Sequence, residues 1–590
     1  MQSGTVTSTS AIRSLEGSKP LANRVADYFQ MSRAEFISAA ALFAVMLVLK
    51  IINMSHFRFD SDESQHMHVI WAWARGFVQY RDVFDNHMPL FHIMFAPIFG
   101  LIGDRPTILY WMRFILFPMY LVAAWCTYQI GTRLFSRRVG IWAILLAGLY
   151  TGYHFTSFEF RADNLWAPLW LLCILVLIQG VMSVRRALIA GLIFGICFGV
   201  SMKSALLLLS VLVAAFVALL LVGRDRLRQP WWGLVRYAVS FLGASLLVPI
   251  AIMLFFAEKG VWSAFHYCIF EHNILPHLDQ KNSPWWFILI FPITFPLVVC
   301  AARLIVHAAP DRRLAFRRAF VFLICGVYLP ALYSFWNLIT RQDFLPYHPL
   351  AFVFWSAAVI AVCEIEKTGW VRRVCSVPRP AYLASLGVIL IVATRPFWIN
   401  GAKIETDLLR DVLALTAPGD YVFDCTGETV FRQRCFRPFL EPVTLERIHR
   451  KMIMDDAALR CVETKTCLAA ADERTPWSAR QFFSRNYLHV KGLTCVVGGY
   501  LRQSSVQPGG FEFDSVIPAS YKIVDRGGTV SGVLDGEPYS EARFLNPGKH
   551  FFTPSKQVGS LAFVWARAVD LHYSPFDYVP PQPPNKRWRW

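Results

Sequence analysis

The feature that constrains this chain most is a long apolar run that recurs eleven times between residues 36 and 398, each run close to the span of a bilayer. The runs are 36–54, 108–130, 139–155, 165–182, 187–202, 205–222, 237–256, 286–305, 319–336, 349–362 and 383–398. In hydrocarbon every backbone N–H and C=O must be satisfied within the protein, so such runs are expected as helices. Composition agrees, with 55% hydrophobic residues, 17% charged residues and a mean hydropathy of +0.41. These values exclude a string of soluble domains, a disordered chain, a fibre and a small disulfide scaffold. The expected fold class is an α-helical polytopic membrane protein of about eleven transmembrane helices, followed by a C-terminal mixed α/β domain.

The net charge of +18 would suit nucleic acid if it were spread over a soluble surface, but its position argues otherwise. Residues 400–590 hold 24 basic and 21 acidic residues, a net +3, which leaves +15 to the first 399. That excess sits in short loops: Arg133, Arg137 and Arg138; Arg185 and Arg186; Arg224, Arg226 and Arg228; Arg312, Arg313, Arg317 and Arg318; Arg372, Arg373 and Arg379. Short Arg-rich loops between apolar runs mark the cytoplasmic side. The basic balance therefore reports topology, and no nucleic-acid partner is expected. Residues 1–35 are polar and lack the early apolar core of a cleaved signal, so they read as a cytoplasmic segment. An odd number of spans then places 399–590 on the outer, periplasmic or extracellular side of an inner (plasma) membrane.

A long outer loop, 55–107, follows the first span. Its segments 66–78 and 89–103 are too short or too polar to cross and read as helices lying along the membrane surface. In the outer domain, 421–423, 494–497 and 521–524 read as strands, 445–459 and 479–487 as amphipathic helices, and Gly527-Gly528 as a hairpin turn. The tail 580–590, rich in Pro, Arg and Trp, reads as irregular. Cys425 with Cys435 and Cys461 with Cys467 are the closest cysteine pairs for disulfides, although six outer cysteines allow 15 connectivities. Without a CxxC pair, zinc is the weaker reading.

Ionisable groups at a membrane edge are costly, so charges on the outer face are where chemistry is sought. Asp60-Ser61-Asp62-Glu63 follows the first span, and Tyr80-Arg81-Asp82-Val83-Phe84-Asp85-Asn86-His87-Met88-Pro89 follows after an aromatic stretch. Crowded carboxylates raise one another's proton affinity or invite a cation, which suits a general base or a divalent metal. The plainer alternative is that Asp62 caps a helix starting near Ser64. Glu159, Arg161 and Asp163 come to the same face after the third span, where an ordinary surface ion pair is the alternative. Lys203, alone between two apolar runs, suits a phosphate or a snorkelling position. Arg341 and His348 precede the tenth span and suit an anionic lipid head group, in competition with ordinary loop chemistry. The stretch 265–282, with His266, Glu271, His272, His277 and Asp279, matches no metal spacing and reads as a solvated loop. There is no P-loop, GxSxG elbow or HExxH, hence no sequence sign of an ATP-driven engine.

Taken in order, the Asp62-Glu63 pair after the first span, the Tyr80-Arg81-Asp82 stretch leading to Pro89-Leu90, Arg161-x-Asp163, Lys203 and Arg341 before Leu345-Pro346 resemble the GT-C glycosyltransferases over residues 36–398. The nearest group is that of the protein O-mannosyltransferases and the lipid A aminoarabinose transferases. The resemblance implies an enzyme, a hexosyl- or pentosyltransferase, that moves a sugar from a polyprenyl-phosphate donor to a glycan, lipid or protein acceptor at the outer face. It implies Asp62, Glu63 and Asp163 as catalytic, and Lys203 and Arg341 as donor-phosphate contacts. Asn86-His87-Met88-Pro89 stands where the group often has a lysine before paired prolines, which passes that contact to Arg81 or His87. Asp60, Glu159, Arg161 and His348 are supporting residues on this reading, and a metal on Asp62 and Asp163 stays open. The alternative from another class is a transporter or flippase of lipid-linked sugars; it calls for polar groups near the bilayer midplane.

Overall fold

The structure is a computed structural model that describes residues 27–223, 231–276, 278, 284–336, 338–365, 379–395, 397–505 and 509–580. The expectations for the N-terminal segment before residue 27, for Arg224, Arg226, Arg228, Arg372, Arg373, His277 and Asp279, and for the tail beyond residue 580 lie outside the described residues. Each of the eleven apolar runs falls on helix. Five helices are long and apolar enough to cross a membrane: α1 (Arg33–His56), α4 (Ile108–Leu134), α9 (Ser204–Val222), α10 (Trp231–Glu258) and α13 (Arg312–Phe335). Shorter helices fill the remaining runs: α5 (Arg137–Leu149) with α6 (Thr151–Thr156), α7 (Asp163–Ile178), α8 (Val184–Val200), α12 (Pro284–His307), α14 (His348–Ile365) and α15 (Arg379–Thr394).

The third run breaks where a single span is expected. Tyr150 takes an extended conformation, φ −71° and ψ 122°, between α5 and α6. A break frees carbonyls that need donors, and Lys50 of α1 supplies them: its buried ammonium donates to the His154 carbonyl at 2.8 Å and to Ser157 Oγ at 2.7 Å. The turn after α6 brings residues 159–163 back toward α2 (Ser61–Ala74), the first helix of the outer loop. That helix does not lie open on the surface as expected. Ser64 to Ala72 are buried without interruption, and His68 Nδ1 meets the Val430 carbonyl at 2.9 Å, so C-terminal residues cover the helix. The second outer-loop helix, α3 (Leu90–Ile102), buries Phe91, Phe95 and Phe99.

Beyond α15, the helix α16 (Lys403–Leu415) leads into a mixed sheet with strand order Arg543–Leu545, Ala519–Asp525, Ala562–Trp565, Thr494–Tyr500, Leu468–Ala470, Tyr421–Asp424 and Gln433–Arg434. The three expected strands lie in it, and Gly528 pairs with Asp525 in the expected hairpin. A second sheet of five strands stands beside it. The helix expected at 445–459 is instead two, Pro442–His449 and Ala457–Glu463, parted by a turn in which Lys451 takes φ 59°. Neither expected disulfide forms. Cys435 lies beside Cys461, with sulfurs 3.3 Å apart, and Cys425 Sγ beside Thr475, because the sheet carries Cys435 away from Cys425. The helical core is continuous with Val430, Phe431 and Phe439, so the two parts of the chain share packing.

Candidate active site

A cavity of about 1120 Å³ opens where the outer ends of the helices meet the C-terminal residues. Local sequence places its carboxylates. Asp60 is the N-cap of α2: its side chain accepts from Asp62 N at 3.2 Å, while Glu63 reaches back to Asp60 N at 2.8 Å in a capping box. The helix thus starts at Ser61, three residues earlier than expected, and Asp62 does not cap it.

Arg161 organises the site. Its guanidinium donates to Asp60 Oδ1 at 2.7 Å, lies 2.6 Å from Asp62 Oδ2 and 3.4 Å from Asp163 Oδ2, and is itself buried. Three carboxylates from two distant segments therefore share one cation. Burial pushes the Asp62 carboxyl above the usual carboxylate range, with Arg161 opposing and Asp60 adding to the rise. Lys203 lies 3.1 Å from Asp163 Oδ1 and also contacts Asp343, a wholly buried residue of the short 3₁₀ turn Arg341–Phe344. Glu159 accepts from Gln342 Nε2 at 2.7 Å; burial, then Asp60 and Glu63, raise its carboxyl well above the ordinary value.

His87 enters from the outer loop and is 30% exposed. Its Nδ1 lies 2.9 Å from Asp85 Oδ1, and its Nε2 has no hydrogen-bond partner among the described residues. Asp85, fully buried, also accepts from Gln65 at 2.9 Å and Gln79 at 2.7 Å, so its position is fixed on several sides.

Of the residues expected from sequence, Asp60, Asp62, His87, Glu159, Arg161, Asp163, Lys203 and Arg341 line this cavity, and Glu63, Arg81 and His348 do not. Glu63 is turned into the protein, where Arg113 binds it through Nε at 2.7 Å and Nη2 at 2.5 Å and Phe160 N donates at 2.7 Å. Arg81 pairs with its neighbour Asp82 at 2.8 Å beside a separate cavity of about 820 Å³. His348 packs against the rings of Tyr150, Tyr153 and Phe344.

Sequence reasoning missed Arg113, Asp343, Asp85, Arg58, Arg395 and Arg474. For Arg113 and Lys50 a signal existed: one cation inside each of two apolar runs demands a buried partner. Nothing in the sequence marks Glu441, Glu473 and Arg474, which reach the cavity from the C-terminal part. The stretch after α10 is no solvated loop. Trp262–His266 is helical and Tyr267–Glu271 is a π-turn, while His272 is buried against Glu441 at 3.0 Å.

A metal between Asp62 and Asp163 does not fit this arrangement, since both carboxylates already bind the Arg161 guanidinium. Among the described residues no group of three or more His, Cys, Asp or Glu is placed to hold a metal ion.

Residues 86–253 match the family model described as dolichyl-phosphate-mannose-protein mannosyltransferase. No curated protein matches the chain. Among solved structures, ArnT from Cupriavidus metallidurans in the apo state is 15% identical with a TM-score of 0.50, covering 78% of this chain and 97% of that one. The same protein bound to undecaprenyl phosphate gives 12% identity and a TM-score of 0.51 over the same shares. By sequence over residues 86–253 and by fold over 78% of its length, the chain resembles the GT-C glycosyltransferases of the protein O-mannosyltransferase and aminoarabinose transferase group.

Proposed function

We propose that the chain is an integral-membrane glycosyltransferase that moves a sugar from a polyprenyl-phosphate donor to an acceptor hydroxyl on a cell-envelope glycan, lipid or protein at the outer face. The observation that carries this reading is Asp62. It is a carboxylate of raised proton affinity, fixed by Arg161 and facing a cavity walled by cations. The solved relative that holds undecaprenyl phosphate has the same fold. On this reading residues 36–398 form the transmembrane part, with the outer loop 55–107, and 399–590 face outward.

The chemistry follows from the arrangement. The acceptor oxygen forms its bond to the anomeric carbon while the bond from that carbon to the phosphate oxygen breaks, and that electron pair leaves with the phosphate. Asp62 orients the acceptor hydroxyl and takes its proton; a base whose affinity lies above that of a free carboxylate removes a proton more readily. Asp163 steadies Arg161 and so holds Asp62 in place. Negative charge grows on the departing phosphate, and fixed cations around the cavity stabilise it most in the transition state. Arg341 and the Nε2 of His87 have donors to spare for it, whereas Lys203 is committed to Asp163 and Asp343.

Transfer of labelled sugar from a panel of polyprenyl-phosphate sugars by the purified protein tests the reading. Wild type transfers sugar, and Asp62→Asn loses about 10²-fold or more of the rate. Full transfer by Asp62→Asn removes the proposed base. If no donor is turned over while lipid-linked sugar crosses liposomes carrying the protein, a flippase takes its place.

A further inference from the structure

The cations of the cavity fall into two sets. The inner set, Arg161 and Lys203, is only 5% and 14% exposed, and carboxylates already neutralise both. The outer set is Arg58, Arg341 and Arg395, which come from three separate segments: the end of α1, the 3₁₀ turn and the end of α15. The guanidiniums of Arg58 and Arg395 lie 5.8 and 5.6 Å from the same Phe57 ring. Burial and the repulsion of Arg58 and Arg341 lower the proton affinity of Arg395, which places all three charges close together. Only Arg58 has a carboxylate nearby, Asp60 at 3.7 Å, and Asp60 is already bound by Arg161 at 2.7 Å. Arg341 and Arg395 have no ion-pair partner among the described residues.

Three like charges on one wall repel unless an anion joins them. A phosphate monoester offers three terminal oxygens and a charge between about −1.5 and −2, which suits several guanidinium forks. The segment leading to Arg341 adds an apolar flank: Phe335, Trp336 and Leu338 line the same cavity, and Phe335 is 54% exposed.

We propose that Arg58, Arg341 and Arg395 form a phosphate-binding site at the outer end of the cavity, and that Lys203 holds Asp163 and Asp343 in place instead of binding phosphate. The assignment of that phosphate to a lipid-linked donor rests on the function proposed above; the anion site itself rests on the arginines. The same chemistry arises from a polyprenyl phosphate and from a phosphate free of lipid, including one carried by an acceptor.

Binding of undecaprenyl phosphate to the full-length protein in detergent with phospholipid, measured by equilibrium titration, tests the site. Arg341→Gln and Arg395→Gln each weaken binding about tenfold, and the double variant more. Arg395→Lys recovers part of the loss, because the charge stays and the fork is lost. Arg75→Gln, outside the cavity and paired only with Asp104, binds as wild type. Elution as a single species on gel filtration shows that each variant is folded. Affinities within twofold of wild type in the double variant, or a loss in Lys203→Gln alone, overturn the site. Millimolar inorganic phosphate separates the sources. Arginine-dependent binding that it does not displace identifies a lipid phosphate, and displacement identifies a phosphate recognised without its lipid; either supports the site. Arginine-dependent binding without sugar transfer from any donor sinks the transferase reading and leaves the site standing. Transfer with KM unchanged in the double variant does the reverse.

Discussion

Asp62 and Glu63 are adjacent in the chain, yet one helical step of about 100° turns their carboxylates toward different surroundings. Asp62 faces the cavity, whereas Glu63 is fully buried against Arg113. Removing one partner of a buried pair leaves an uncompensated charge, so Arg113→Met lowers stability by about 3–5 kcal/mol; thermal unfolding in detergent reads it, and an unchanged midpoint refutes it. His87 behaves differently. Burial lowers its proton affinity, but Asp85, helped by Asp62 and opposed by Arg161, outweighs burial and lifts it above the ordinary 6.5. A cationic His87 therefore contributes fully below pH 6.5 and loses its contribution as pH rises through the raised value. Transfer rate follows the same sign, falling on the alkaline side. Asp85→Asn removes the main counter-charge and moves that falling limb to lower pH by about one unit. A limb that stays in place excludes His87 as the titrating group.

At the scale of elements, α8 and α10 meet through a stripe of glycines. A Cβ at Gly195 would lie 2.8 Å from the Ser245 carbonyl oxygen, and one at Gly191 would collide with the Phe241 carbonyl. Small residues four apart let helix backbones approach closely in a membrane. Gly195→Leu therefore forces the pair apart and costs about 1–3 kcal/mol, seen as a lower unfolding midpoint with less folded protein recovered. Retained stability would show that α10 moves freely away. The apolar runs alone predicted both helices, because length and hydropathy are local properties. They did not predict the break at Tyr150, which depends on Lys50 arriving from α1 to bind the His154 carbonyl.

Over the whole molecule, the C-terminal part is bound to the segment after α10. Arg447 donates to the His272 carbonyl at 3.1 Å, and Glu441 meets His272 Nε2 at 3.0 Å while also lining the cavity. Glu441→Gln weakens that contact by about 1–3 kcal/mol, and the segment around His272 becomes more open to limited proteolysis. An unchanged digestion pattern would show that other contacts suffice.

The sequence by itself determined the helical runs, the Arg-rich loops and the ordered carboxylates and cations that resemble a GT-C transferase, because hydropathy and charge act where they stand in the chain. Only the tertiary structure decided which charges face the cavity. Glu63 turned inward, Arg81 fell beside another cavity, and Arg58, Arg395 and Arg474 joined from segments that carry no motif. The physical reason is pairing: a buried charge is set by the partner it meets, and Arg113, Asp343 and Asp85 are partners that periodicity and spacing do not reveal.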